Sequence, residues 1–126
     1  MIVLSGVEVP VGDLGRAISW YREALGLACT WSDAGHAMLA SASMSILLVE
    51  TNDGIRLGFM RNGLRHSVVD FRTDDLEGLH RRLVGLGCDV DALGPQVNDW
   101  APRGFGMMDS EGNRLGAFTY GGAGSA

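Results

Sequence analysis

At 126 residues the chain has room for one domain, with a core that can fold without metal or disulfide staples. A composition 46% hydrophobic and 20% charged is that of an ordinary globular protein. The formal net charge of −5 argues against a nucleic-acid partner, which needs a basic face, and suits a cationic or neutral ligand better than an anionic one.

Met1 to Gly6 has neither a basic n-region nor a long apolar run, so no signal peptide, no membrane span and a cytoplasmic location are expected. Ile2 to Val9 alternates and is rich in β-branched residues, the pattern of a strand. Asp13 is placed to cap a helix whose stripe is Ala17, Ile18, Tyr21, Ala24 and Leu25, and Gly26 ends it. Short strands follow at Ala28 to Ser32, Ala37 to Ala40 and Ser45 to Glu50, separated by turn residues. The order then recurs. His66 to Thr73 reads as a strand, and Asp74 or Asp75 starts a helix striped by Leu76, Leu79, Leu83 and Leu86 and ended by Gly87. Strands are expected at Asp89 to Ala92, Phe105 to Asp109 and Arg114 to Tyr120.

Setting Asp13-Leu14 against Asp75-Leu76 gives an offset of 62 residues that brings strand, helix and helix-ending glycine into step. The expectation is an α+β domain over residues 1–120 made of two tandem βαβββ modules. Module 1 spans about 1–53, a linker about 54–64 and module 2 about 65–120, with a disordered tail at 121–126. Cys29 and Cys88, alone in apolar surroundings, read as reduced core residues.

Three segments resemble the glyoxalase/bleomycin-resistance/dioxygenase superfamily, the vicinal-oxygen-chelate proteins. Gly12 to Leu27 is similar to the opening D-L-x-x-[AS]-x-x-[FW]-Y-x-x-x-L-G, and Val69 to Leu76 looks like the start of the second half. Met108 to Leu115 resembles the closing D-P-D-G-N turn, with Ser110 in place of Pro. The resemblance implies two curled sheets forming a cup around a ligand, and a homodimer. In metal-dependent members it also implies a His in the first strand, a second His in the equivalent strand of the other half, and late carboxylates. Here those positions fall on Gly6, Val68 and Gly116, which have no donor atoms, so no metal and no cofactor are expected. An alternative set, moved along the strands, is His66, Glu8 and Asp70, because side chains two apart share a strand face.

Glu8 and Asp70 are equivalent at the 62-residue offset. They either face the ligand or pair with Arg72, Arg114 or another Arg. Trp31, beside a turn, is a ligand-binding candidate, as are Asp99, Trp100 and Arg103 in the irregular run 97–104. Met38, Met107 and Phe118 are expected in the core, and His36 and His80 in solvent. The function expected is sequestration of a drug- or antibiotic-like small molecule, cationic and aromatic in character, by a metal-free homodimer. The alternative is an enzyme of the same superfamily: a metal-dependent lyase or dioxygenase with displaced ligands, or a metal-free isomerase with Glu8 or Asp70 as base.

Overall fold

The computed structural model describes residues 1–95 and 102–120. The chain divides into two compact units. The first is Met1–Leu57 with Asp109–Asn113, and the second holds Gly58–Met108 and the chain from Arg114 onward. No helix among the described residues is long and apolar enough to cross a membrane.

The first unit runs β1 (Gly6–Val11), α1 (Leu14–Leu25), β2 (Cys29–Ser32), β3 (His36–Ala40) and β4 (Ser45–Glu50). Its sheet has the order β1-β4-β3-β2, with β1 parallel to β4 and the other pairs antiparallel. Helix α1 starts where the Asp13 carboxylate accepts the amide of Arg16 at 3.0 Å, and stops at Gly26, whose φ of 70° is cheap only without a Cβ. Val9, Val11, Ala17, Tyr21, Leu39 and Leu48 form the buried core of this unit. Strand β1 begins at Gly6 rather than Ile2, because its partner β4 begins at Ser45; residues Met1 to Leu4 are exposed.

The second unit contains β5 (Phe59–Arg61), β6 (Leu64–His66), β7 (Val69–Arg72), α2 (Leu76–Gly85), β8 (Pro102–Met108) and β9 (Arg114–Tyr120). Its three-stranded sheet has the order β7-β9-β8, with β7 parallel and β8 antiparallel to β9. Asp75 caps α2 by accepting the amide of Gly78, as Asp13 does for α1. A hairpin, β5 with β6, begins in the stretch expected as linker and ends just beyond it. Asn62 at φ 52° and Gly63 at φ 77° make the tight turn whose twist suits paired strands. The strand expected over His66 to Thr73 is broken at Ser67-Val68, since β6 belongs to the hairpin and β7 to the larger sheet. The strand expected at Asp89 to Ala92 reduces to one bridge, Val90 with Met107. The architecture is α+β with several mixed sheets, as expected from the pattern. The tail 121–126 lies outside the described residues.

Candidate functional site

Alternation along the second unit's strands sorts its side chains onto two faces. Phe105, Met107, Leu115 and Ala117 are buried, and the His80 ring meets Phe105 at 4.8 Å, so this face packs under α2. His80, expected in solvent, therefore packs against the sheet. Its Nε2 also lies 2.9 Å from the carbonyl of Asp91. The opposite face carries Asp70 on β7, Gly104 and Gly106 on β8, and Arg114, Gly116 and Phe118 on β9.

Strand register decides what that open face looks like. Asp70 pairs with Gly116, and Gly116 pairs with Gly106, so one row across three strands has a side chain only at its edge. Other side chains lie over the bare backbone. A Cβ at Gly116 would collide with the Asp70 carboxylate and come 3.0 Å from the Ser67 hydroxyl. One at Gly106 would collide with the Arg114 guanidinium. Above this floor is a hollow of about 510 Å³, lined among others by Arg65, His66, Asp70, Arg103, Arg114 and Phe118.

Its polar groups are held in place. The Ser67 hydroxyl donates to Asp70 at 2.7 Å. The His66 ring stacks on Phe59 at 4.8 Å and puts Nδ1 2.8 Å from the carbonyl of Ser67. Arg103 donates through Nε to Gly94 at 2.6 Å and through Nη1 to Glu77 at 2.5 Å. Arg114 pairs with Asp91. Among the described residues Asp70 forms no ion pair, so the arginine partners considered for it, Arg72 and Arg114, are not its partners; Ser67 is.

The equivalent row in the first unit is Glu8–Leu47–Met38. Here both central positions carry long side chains, and the hollow beside them is smaller, about 330 Å³. Glu8 is exposed and lines it. Met38 and Phe118, expected in the core, are only half-buried and line the two hollows. Met107 is buried. Trp31 is 52% exposed on β2 and lines neither hollow; Asp99 and Trp100 lie outside the described residues. Arg103 does line the larger one. Sequence reasoning missed Arg65, Ser67 and Arg114 as part of this site. The signal available was the alternation Arg114-x-Gly116-x-Phe118, which places these three on one face.

The turn Asp109 to Asn113 is structural rather than ligand-binding. It belongs to the first unit, where Asp109 accepts the Tyr21 hydroxyl at 2.6 Å and the amides of Glu111 and Asn113. Burial, and then the Asp109 charge, push the Tyr21 phenol far above its usual range. Glu111 accepts the amides of Gly12 and Asp13 and two bonds from Arg16.

A family model described as the glyoxalase-like domain matches residues 6–118. The chain belongs to that family. Among solved structures, TnmS3, an antibiotic binding protein from Streptomyces sp. CB03234, is 27% identical with a TM-score of 0.70, covering 92% of this chain and 94% of its own. A glyoxalase/bleomycin resistance protein from the same organism is also 27% identical, with a TM-score of 0.67 and coverage of 91% and 98%. Lactoylglutathione lyase from Agrobacterium tumefaciens shares the fold at 18% identity, with a TM-score of 0.67 and 92% of both chains covered. No curated protein sequence matches the chain. The neighbours of this glyoxalase-like domain thus include an antibiotic binding protein, a glyoxalase/bleomycin resistance protein and a lactoylglutathione lyase.

The residues present do not fit the metal that the superfamily uses in its enzymes. Gly6, Val68 and Gly116 offer no donor. A Cβ at Gly6 would sit 2.7 Å from the backbone oxygen of Ser45, so β1 has no room for a side chain there without moving. At Gly116 the space is taken by Asp70. His66 and Asp70 line the larger hollow and Glu8 the smaller one. Among the described residues no group of three or more His, Cys, Asp or Glu side chains is placed to hold a metal ion.

Proposed function

We propose that this glyoxalase-like protein binds a small, partly aromatic, drug- or antibiotic-like molecule and acts by sequestering it, without a metal. The observation that carries the reading is the emptied row Asp70–Gly116–Gly106. Without side chains at Gly116 and Gly106, the polar ends of Asp70, Ser67, Arg114 and Asp91 lie close over the sheet, and the hollow of about 510 Å³ above them has Phe118 as an apolar wall. Similarity at 27% identity to an antibiotic binding protein supports binding, and the lack of donors at Gly6, Val68 and Gly116 favours binding over metal catalysis. A cationic group on the ligand would go to Asp70, or in the first unit to Glu8. In this reading the protein works as a cytoplasmic homodimer, in keeping with two free cysteines, Cys29 and Cys88, and with exposed Phe59, Met60 and Leu64 on the hairpin.

The test is titration with bleomycin and a panel of aromatic antibiotics, followed by mass spectrometry of the recovered compound. A binding compound should return chemically unchanged, and dialysis against EDTA should leave its affinity intact. Gly106→Val should weaken it at least roughly tenfold, because the new side chain meets only the ends of the Arg114 and Asp91 side chains and takes space in the hollow. Conversion of the compound, or an affinity indifferent to Gly106→Val in a folded variant, would refute sequestration at this site.

A further inference from the structure

Ser67 orients two hydrogen-bond acceptors of the larger hollow, His66 and Asp70. Its carbonyl lies 2.8 Å from His66 Nδ1. A carbonyl oxygen can only accept, so Nδ1 carries the proton, and in the neutral ring Nε2 is left as a bare acceptor. Stacking on Phe59 at 4.8 Å holds the plane of the ring. The hydroxyl of Ser67 donates to Asp70 Oδ1 at 2.7 Å, and Asp70 Oδ2 has no partner among the described residues.

The positive groups nearby are engaged with the protein itself. Arg103 bonds Glu77 of α2, Arg65 Nη1 lies 3.7 Å from the sulfur of Met108, and Arg114 pairs with Asp91. The Asp91 carboxylate lies over Gly106, where a Cβ would come 2.7 Å from its Oδ2, so this pair brings another acceptor to the hollow along with its cation. The hollow thus offers acceptors that the protein's own donors do not use up. A ligand that covers His66 Nε2 and Asp70 Oδ2 strips them of water, and the loss is made good only if the ligand donates in return.

We infer that the hollow selects its ligand by hydrogen-bond donors: an aromatic molecule with phenolic O–H or amino N–H groups, which bond His66 Nε2 and Asp70 Oδ2 while the ring packs against Phe118. The inference rests on the small-molecule reading above and deepens it. A ligand whose polar groups only accept is discriminated against at both positions, and an anion most of all, because it meets the charge of Asp70.

The test uses 2-naphthol and its methyl ether, 2-methoxynaphthalene, whose oxygen cannot donate, with 2-naphthoate as the anionic comparison. Fluorescence titration of the unmodified protein at neutral pH should show 2-naphthol binding at least roughly tenfold more tightly than the ether, the usual weight of a hydrogen bond to a charged group. The naphthoate should bind weakest. His66→Phe keeps an aromatic ring against Phe59 but has no acceptor, and Asp70→Ala removes the carboxylate. Each should lower the ratio of naphthol to ether affinity, and the two together should bring it to about one. Nitrogen NMR of the unmodified protein should find neutral His66 protonated on Nδ1. A ratio of one or less in the unmodified protein, a ratio that survives the double substitution, tighter binding of the naphthoate, or His66 protonated on Nε2 would overturn the inference. Gly106→Val separates it from the reading on which it rests. If that substitution weakens both neutral naphthalenes while their ratio is one, the small-molecule site stands and donor selection falls. If it changes no affinity in a protein with an unaltered circular dichroism spectrum, the naphthalenes bind elsewhere, and both fail.

Discussion

Glu111 is a buried carboxylate whose ionised form is matched on several sides, by Arg16, by the Ser110 hydroxyl and by the amides of Gly12 and Asp13. Burial alone would raise its pKa, but these bonds outweigh burial and hold it at about 2, below the ordinary 4.5. A carboxyl whose folded pKa is depressed stabilises the fold above its unfolded value, and that contribution fades as pH drops from about 4.5 toward 2. Glu111→Gln should therefore lower the urea midpoint clearly at pH 7, and the gap from the unmodified protein should narrow by pH 3. A gap of constant size across that range would mean that shape and not charge is what matters at this position. At the same scale Gly104 and Gly106 differ in kind. A Cβ at Gly104 would lie 2.5 Å from the backbone oxygen of Ala117, which cannot yield without parting β8 from β9, whereas the one at Gly106 meets only side-chain ends. This is why Gly106, and not Gly104, is the position at which the hollow can be filled with the fold kept.

Among the elements, the two helices were legible because their signals are local. Asp13 and Asp75 each cap by bonding an amide three residues on, and Gly26 supplies the left-handed turn that ends α1. The hairpin β5–β6 was equally local in its signal, the Asn62-Gly63 pair between Arg61 and Leu64, but the expected linker concealed it. Gly63 has a φ of 77°, so Gly63→Ala should cost roughly 1 kcal/mol of stability, read as a shift in denaturation midpoint. The turn faces open space, with nothing within 4 Å of a Cβ at Gly63, so a loss of that size can be assigned to backbone conformation alone. Strand limits were less legible than the helices. β1 starts late and the strand expected over His66 to Thr73 is interrupted, because a strand extends only as far as its partner does.

For the whole molecule, the proposed assembly is a homodimer. The exposed apolar residues Ile55, Phe59, Met60, Leu64 and Val68 are clustered in sequence around the hairpin, and a surface of that kind favours a partner. Sedimentation equilibrium at micromolar concentration should give a mass near twice 13.4 kDa, and Met60→Glu with Leu64→Glu should shift it toward the monomer. A 13.4 kDa species for the unmodified protein would refute the dimer.

By itself the sequence determined the repeated order of strand and helix, the caps, the α+β class and the equivalence of Glu8 with Asp70. All of these depend on spacing along the chain or on the 62-residue offset. It also showed that Gly6, Val68 and Gly116 have no metal donors. Only the tertiary structure decided what stands across from each carboxylate, since register joins strands far apart in sequence. Glu8 faces a row filled by Leu47 and Met38, whereas Asp70 faces the bare backbone of Gly116 and Gly106. The charge of the site was hidden for the same reason. A net charge of −5 describes the chain, but the potential felt by a ligand is set by the few groups nearby, and folding brought Arg65 and Arg114 beside Asp70, with Asp91 over Gly106.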